Sequence, residues 1–352
     1  MSKRSYGIAI IGYGGMGGQH ARLIGTTEVM RLTGVWDIDP ARLRAATEAS
    51  IHAYADYASV LHDPDVEIVL IATPNHVHKE LSIQALQAGK HVICEKPVTL
   101  NSQELEEILK VAEQTGKLFV VHQNRRWDED YLSVKRIVDE RRIGDLFYIE
   151  TRVHGSRGIP GDWRKQKEFG GGMMLDWGVH LLDRLLLMIP EKVTRLYCQL
   201  FHVTGSEVDD GFKLLLTFES GKTALVEVGT THFIALPKWY AAGTQGTAVI
   251  EDWEMNGRVV RLADQGSQDA QPIVAGAGFT KTMAPREDNS VTVEPLPRIQ
   301  TDVRDFYRNV VEAIEGKAEI VVKNEQVLRV MRLIDAAMLS DRLRQVVPFE
   351  EI

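Results

Sequence analysis

Cysteine is nearly missing from this chain: Cys94 and Cys198 are the only two in 352 residues. That excludes both a disulfide scaffold and a cysteine-rich zinc site. Long apolar runs are missing too. The longest stretches, 68–72 and 185–189, fall far short of the roughly 18–20 residues a membrane span needs. No dense Lys/Arg run occurs, and 41 basic residues against 49 acidic ones give a net charge of −8. Nucleic acid and anionic membrane are therefore poor partners. Lys3 and Arg4 stand at the N-terminus, but the apolar run after them stops at Gly12 and reads as a strand. No secretory signal is visible, and a reducing cytoplasm is the default location. There is no internal repeat and no low-complexity tract. What remains, 44% hydrophobic and 26% charged residues, is the profile of a soluble globular protein. The length suits two domains.

Two textures divide the chain near residue 122. In 1–122, short continuous apolar runs at 6–11, 32–36, 67–72, 91–94 and 118–121 alternate with helical spacing at 16–24, 40–49, 76–88 and 102–114. Asp39 is a candidate N-cap for the helix that Pro40 opens, and Gly89 and Gly116 close two others. Apolar strands alternating with amphipathic helices predict a doubly wound parallel sheet, an α/β Rossmann-type unit with its ligand at the carboxyl ends of the strands. The remainder, 123–352, predicts an α+β unit with a mostly antiparallel, open-faced sheet. Its strands are read at 146–153, 195–203, 211–218, 223–230 and 247–251, and its helices at 131–140, 173–188, 301–314 and 324–344. The last helices can pack on either unit. The stretch 266–297 is rich in Gly, Pro and polar residues and is expected to be an excursion or mobile loop.

The run Gly12-Tyr13-Gly14-Gly15-Met16-Gly17 is G-x-G-x-x-G, placed directly after a predicted strand and at the start of a predicted helix. The first glycine makes the tight turn, the second admits the pyrophosphate, and the third packs helix on strand. Helix N-terminal N–H groups then face the phosphates. Asp37, 20 residues beyond Gly17 at the end of the second strand and followed by Ile38, can accept both ribose hydroxyls and would repel a 2′-phosphate. The expected cofactor is NAD, with NADP less favoured. Asp37 could instead only cap a helix.

Two further turns fall at the carboxyl edge of the same sheet: Ala72-Thr73-Pro74-Asn75-His76-Val77-His78 and Cys94-Glu95-Lys96-Pro97. On its turn alone, Lys96 reads equally as a surface lysine paired with Glu95. Beside a cationic nicotinamide and partly buried, its ammonium form would be disfavoured, and it could stabilise a developing alkoxide. Asp176 and His180 lie four apart and His180 and Asp183 three apart, so each pair can share a helix face. A carboxylate beside an imidazole fixes its tautomer and raises its basicity. By spacing alone such a pair is more often a surface contact. A zinc or manganese site from Asp176, His180 and Asp183 is a third reading, disfavoured because the reaction already has cations at hand; no metal is expected.

These turns, the glycine loop, and Gly170-Gly171-Gly172 leading into Asp176-Trp177-Gly178-Val179-His180-Leu181-Leu182-Asp183 together resemble the Gfo/Idh/MocA oxidoreductases. That family includes inositol dehydrogenases and glucose–fructose oxidoreductase. The resemblance runs over essentially the whole chain. It implies that Lys96, Asp176 and His180 are catalytic, with His180 the general acid/base and Asp176 its partner and a ligand of a substrate hydroxyl. It implies that the glycine loop, Asp37, Ile38, Thr73, Pro74, Asn75, His78, Glu95 and Lys96 hold the cofactor, that Glu95 has a structural part, and that the bond to Pro97 is cis. It also implies substrate and cofactor contacts in 122–127, for which Asn124 and Arg126 are the choices.

Arg152 and His154 alternate with Val153 on a strand of which one parity should face the site, and Trp163 with Arg164 could form a sugar-stacking wall. Trp36 and Trp253 are read as packing residues. The function expected is NAD-dependent oxidation of a secondary hydroxyl of a sugar, glycoside or cyclitol. The alternatives are a redox cycle with retained NAD, as in relatives that cleave glycosides or couple two sugars, and a non-catalytic NAD or sugar sensor. The resemblance also implies a homodimer or homotetramer through the open sheet face.

Overall fold

Strand β1 (Tyr6–Ile11) is buried at every residue, and only a strand covered on both faces reads so continuously apolar. Residues 4–263, 271–284, 286 and 290–350 are described by the structure, a computed structural model. After β1 come α1 (Gly15–Ile24), β2 (Met30–Trp36), α2 (Pro40–Glu48), α3 (Tyr57–His62), β3 (Ile68–Ile71), α4 (His78–Gln87), β4 (His91–Cys94), α5 (Ser102–Thr115) and β5 (Phe119–Val121). The five strands form one parallel sheet in the order β2-β1-β3-β4-β5. The caps are local and chemical. The Asp39 carboxylate accepts from Ala41 N at α2, Asn101 accepts from Glu104 N at α5, and Gly116 closes α5 in the left-handed region. Helix α3 is absent from the sequence reading, because six residues give too short a period to register.

The second unit follows as α6 (Glu129–Asp139), β6 (Leu146–His154), α7 (Val179–Met188), β7 (Val193–Phe201), β8 (Gly211–Phe218), β9 (Thr223–Gly229), β10 (Trp239–Gly243), β11 (Gly246–Ile250), β12 (Gly257–Leu262), β13 (Ile273–Ala275), β14 (Gly278–Thr280), β15 (Val291–Glu294), α8 (Asp305–Ile314), α9 (Asn324–Leu343) and β16 (Val347–Pro348). Nine strands make one sheet, β15-β12-β11-β10-β6-β9-β8-β7-β16, antiparallel except for the β6–β9 pair. The described residues of 266–297 are more ordered than their composition suggests. Positions 266–270, 285 and 287–289 lie outside the described residues, but β13 and β14 form a hairpin and β15 pairs with β12 at the sheet edge. Backbone hydrogen bonding, not apolar periodicity, makes these strands.

One face of the large sheet is apolar. Ile149, Phe212, Leu214, Leu216, Ala224, Val226 and Val228 are all buried there, in the core that also holds Leu181, Leu182 and Leu185 of α7 and Val330, Leu333 and Ile334 of α9. Helix α9 ties the two units together: Asn324 donates to Phe119 O on β5, Asp335 accepts from Ser102 N, and the Ser340 hydroxyl accepts from Cys198 N on β7. The cleft thus lies between the carboxyl edge of the parallel sheet and the helix-covered face of the second sheet.

Candidate active site

Backbone geometry shapes the glycine loop. Gly12 sits at φ 92°, and a Cβ there would come 2.7 Å from the Ala72 carbonyl oxygen, so no other residue fits. Helix α1 opens at Gly14 without a side-chain cap, and a Cβ added at Gly15 would meet nothing within 4 Å. An uncapped helix N-terminus facing open space is what a pyrophosphate requires. Asp37 is buried at the end of β2. Its Oδ2 accepts from Tyr13 N at 2.7 Å and from Arg42 Nη1 at 3.2 Å, and its Oδ1 accepts from Asp39 N at 2.8 Å. Its neighbour Ile38 is 89% exposed, an apolar surface beside a carboxylate. The residues present therefore fit a dinucleotide.

The Thr73–His78 turn lies at the carboxyl edge of the parallel sheet, next to the Lys96 turn. Thr73 carries a buried hydroxyl with no partner among the described residues, and Pro74 precedes a single 3-10 turn. Asn75 Nδ2 donates to Gly170 O at 2.8 Å, tying the two units across the cleft. His78 is wholly buried, its ring nitrogens 3.0 Å from Pro97 O and 2.9 Å from Thr73 O. Asn75 and His78 thus brace the two turns from behind.

The bond Lys96–Pro97 is cis. Glu95 is buried beneath the turn, its Oε1 accepting from His20 Nε2 at 2.8 Å and His122 Nδ1 at 2.7 Å while Oε2 accepts from Lys96 N at 3.1 Å. The Tyr307 hydroxyl donates to His20 Nδ1 at 2.6 Å, so His20 carries its proton on Nε2. Burial opposes ionisation of Glu95, but the two imidazoles outweigh it and hold the carboxyl well below its ordinary range.

Lys96 Nζ reaches across the cleft to Asp176, 2.9 Å from Oδ1 and 3.1 Å from the carbonyl oxygen, and Arg164 Nε lies 3.5 Å from the same Oδ1. Burial pushes the Asp176 carboxyl up, yet Lys96 and Arg164 together hold it below the usual carboxylate range. His180 is buried one turn on, its Nδ1 without a partner among the described residues. Burial, then the charges of Lys96, Arg125 and Arg184, depress its pKa well below the ordinary histidine value, so the imidazole is neutral near pH 7.

The expected Asp176–His180 pair does not form, for a geometric reason. Residues Met174–Gly178 make a π-helical turn, whose wider winding breaks the i, i+4 register of an α-helix. Asp176 is delivered to Lys96 instead. Asp183 is likewise committed elsewhere, paired with Arg126 through Nε at 2.8 Å and Nη2 at 2.6 Å. Arg126, expected at the substrate, is buried in that pair. Replacing Arg126 by Met is expected to destabilise the fold by about 3–5 kcal/mol, because the Asp183 charge is left uncompensated in the interior. Urea titration reads the loss, and Arg126→Met/Asp183→Leu should recover most of it.

Arg152 and His154 also lie away from the cleft. The parity of β6 sets Ile149 and Thr151 on the helix-covered face, so Arg152 and His154 project from the outer one. There Arg152 pairs with Glu150 and Glu227, and His154 stacks on His232 at 4.0 Å. Trp163 and Arg164 do flank the site, the guanidinium 4.7 Å over the indole. Asn124, Met16 and His122 line a cavity of about 530 Å³ beside the glycine loop, together with Arg125, Lys238 and Trp253.

Trp253 is no packing residue: it is 52% exposed, with Lys238 Nζ 3.3 Å from its ring centroid. The Arg125 guanidinium lies 4.4 Å over Trp177, whose ring sits 5.8 Å from that of His180. Sequence reasoning passes over Arg125, Trp177 and Lys238. Only the Arg125-Arg126 pair at the end of β5 signals one of them, and the buried member is the one it favours.

Residues 6–123 match the "Oxidoreductase family, NAD-binding Rossmann fold" of the Gfo/Idh/MocA proteins, and 131–249 match the "GFO/IDH/MocA C-terminal domain". A solved NAD-binding protein from Listeria innocua is 46% identical, with a TM-score of 0.95 over 98% of this chain and 100% of its own. An uncharacterized oxidoreductase of Schizosaccharomyces pombe is 30% identical over 83% of both chains. The scyllo-inositol 2-dehydrogenase (NADP(+)) of Bacillus subtilis is 27% identical over 83% of this chain and 81% of its own. Two family matches, a relative 30% identical over 83% of the chain and a fold shared with the Listeria innocua protein along nearly the whole length place the chain in the Gfo/Idh/MocA oxidoreductase family.

Proposed function

We propose that the protein oxidises a secondary hydroxyl of a sugar, glycoside or inositol-like cyclitol to the ketone with NAD, and reduces the ketone in reverse. The observation that carries this reading is the 2.9 Å contact of Lys96 Nζ with Asp176 Oδ1 across the cleft, beside a buried, neutral His180. The B. subtilis relative, named for the oxidation of an inositol, supports the substrate class.

When bound, nicotinamide supplies the acceptor for the hydrogen that leaves the carbon with its electron pair. The protein does the rest. Asp176 and Arg164 fix the place of the Lys96 ammonium, whose N–H bonds aim at the reacting oxygen and stabilise alkoxide character there. The neutral His180 ring takes the hydroxyl proton on its free lone pair. In reduction the imidazolium returns it. A sensor would have no need of all three groups together.

Asp37 favours NAD, since its carboxylate is already held by Tyr13 N and Asp39 N where the ribose is expected. Exposed Ile38 offers the adenine a flat contact. Asp37→Ser should raise the NADP-to-NAD ratio of kcat/KM by roughly 10²-fold or more, with Arg42 at the same corner available to a 2′-phosphate. An unchanged ratio would remove Asp37 as the determinant. The outer sheet face carries partly exposed Tyr197 and Leu215, which supports a homodimer or homotetramer readable by light scattering. The reading as a whole is tested by incubating inositols, aldoses and glycosides with NAD and NADP, following absorbance at 340 nm and analysing products. Absence of reduced nicotinamide with every compound would overturn it.

A further inference from the structure

The cavity of about 530 Å³ beside the glycine loop is larger than one sugar ring requires, and Arg125 links its wall to Trp177, the ring neighbour of His180. Trp253 leaves half its surface in solvent, with Lys238 Nζ 3.3 Å from its ring centroid, so an apolar ring area borders the cavity. The Arg125 guanidinium spans from Trp177, at 4.4 Å, to Trp253, at 5.7 Å, so the aromatic wall runs unbroken from the neighbour of His180 outward.

Two polar atoms in this wall are buried and lack a partner among the described residues: Arg125 Nε and His122 Nε2. The first is a donor. The second is an acceptor in the neutral ring whose Nδ1–H donates to Glu95 Oε1. A donor and an acceptor beside an exposed indole match the hydroxyls and apolar face of a sugar ring.

The charges decide which kind of sugar. Arg125 Nη1 is paired with Asp128 at 2.9 Å and Lys238 with Asp130 at 2.9 Å, so each of these cations already has a carboxylate partner. A carboxylated or phosphorylated unit would have to compete with Asp128 and Asp130 for these cations and would meet Glu129 in the same wall. Lys96, Asp176 and His180 do not line the cavity, so a single ring held at Lys96 would leave it open.

We propose that the cavity is a subsite for a second, neutral sugar unit, stacked on Trp253 and held by Arg125 Nε and His122 Nε2, so that the substrate is a glycoside or oligosaccharide. The proposal rests on the dehydrogenase reading above and narrows it.

Two measurements test it. The first is kcat/KM with NAD for glucose, galactose, myo-inositol and scyllo-inositol against cellobiose, maltose, lactose and trehalose, in the wild type and in Trp253→Ala. The second is direct binding of the same sugars to the NAD-loaded protein by calorimetry. At least one disaccharide should exceed its constituent monosaccharide by tenfold or more, and Trp253→Ala should cut that ratio by roughly tenfold. If a disaccharide binds tightly, loses that binding in Trp253→Ala, and is not oxidised, the subsite stands and the oxidation reading fails. If monosaccharides are oxidised and no disaccharide is bound or turned over better, the subsite falls while the dehydrogenase reading stands. Equal losses on both sugar classes in Trp253→Ala would also overturn it.

Discussion

Lys96→Met is expected to lower kcat by roughly 10²–10⁴-fold while leaving NAD affinity within a few-fold of wild type. The ammonium lies 2.9 Å from Asp176 Oδ1 and in the proposed reading donates to the reacting oxygen, and methionine keeps the length and apolar stem of the side chain without the charge. Asp176 would retain Arg164 at 3.5 Å, so the cleft is not left with an unpaired buried carboxylate. The glycine loop and the Tyr13–Asp37 contact, where the proposed reading seats the pyrophosphate and ribose, lie outside the Lys96–Asp176 contact. Steady-state kinetics and fluorescence titration with NAD together check the split. Full activity in Lys96→Met would remove the lysine from the chemistry, and loss of NAD binding with loss of turnover would make its role structural.

His180→Asn is expected to cost a similar 10²–10⁴-fold in turnover and, with it, to abolish the acidic limb of the pH profile. The direction follows from the charge state. Burial and three nearby cations hold His180 neutral well below its ordinary pKa of 6.5. Oxidation needs the neutral ring, so kcat/KM for the alcohol should stay flat as pH falls from 8 to 6 and decline only below that. Ketone reduction needs the imidazolium, so its rate should rise as pH falls across the same window. A wild-type oxidation rate that drops steeply between pH 8 and 7 would contradict the assignment.

The glycine loop was open to reading because its requirement is local: Gly12 needs a positive φ and Gly15 must leave the helix end bare, and both are properties of single residues at fixed spacing. The apolar strands were open for the same reason, since burial on both faces writes itself into consecutive residues. The site's pairings were not. Lys96 and Asp176 meet over 80 positions of chain, and the π-helical turn that aims Asp176 away from His180 leaves no mark in a spacing that suits an α-helix equally well. Arg126 and Arg125 are adjacent and chemically identical. Only packing against Asp183 decides that the first is interior and the second faces the cleft. On β6, Arg152 and His154 alternate with Thr151 and Val153, residues that suit either face of a half-buried sheet, so the alternation alone does not say which parity meets the helices. Trp253 and Lys238 sit in loops without periodicity, where nothing but the fold brings them to Arg125.

The most direct test of the account follows the hydrogen itself. Ring-deuterated substrate, taken from the panel compound with the highest kcat/KM, is incubated with NAD and the wild-type enzyme, and the reduced cofactor is analysed by NMR. Deuterium at nicotinamide C4 on a single face, slowed turnover relative to the unlabelled compound, and near-total loss of transfer in Lys96→Met and His180→Asn are the predicted results. Unlabelled nicotinamide, or transfer at an undiminished rate in both variants, would contradict the claim that these two side chains flank the reacting carbon.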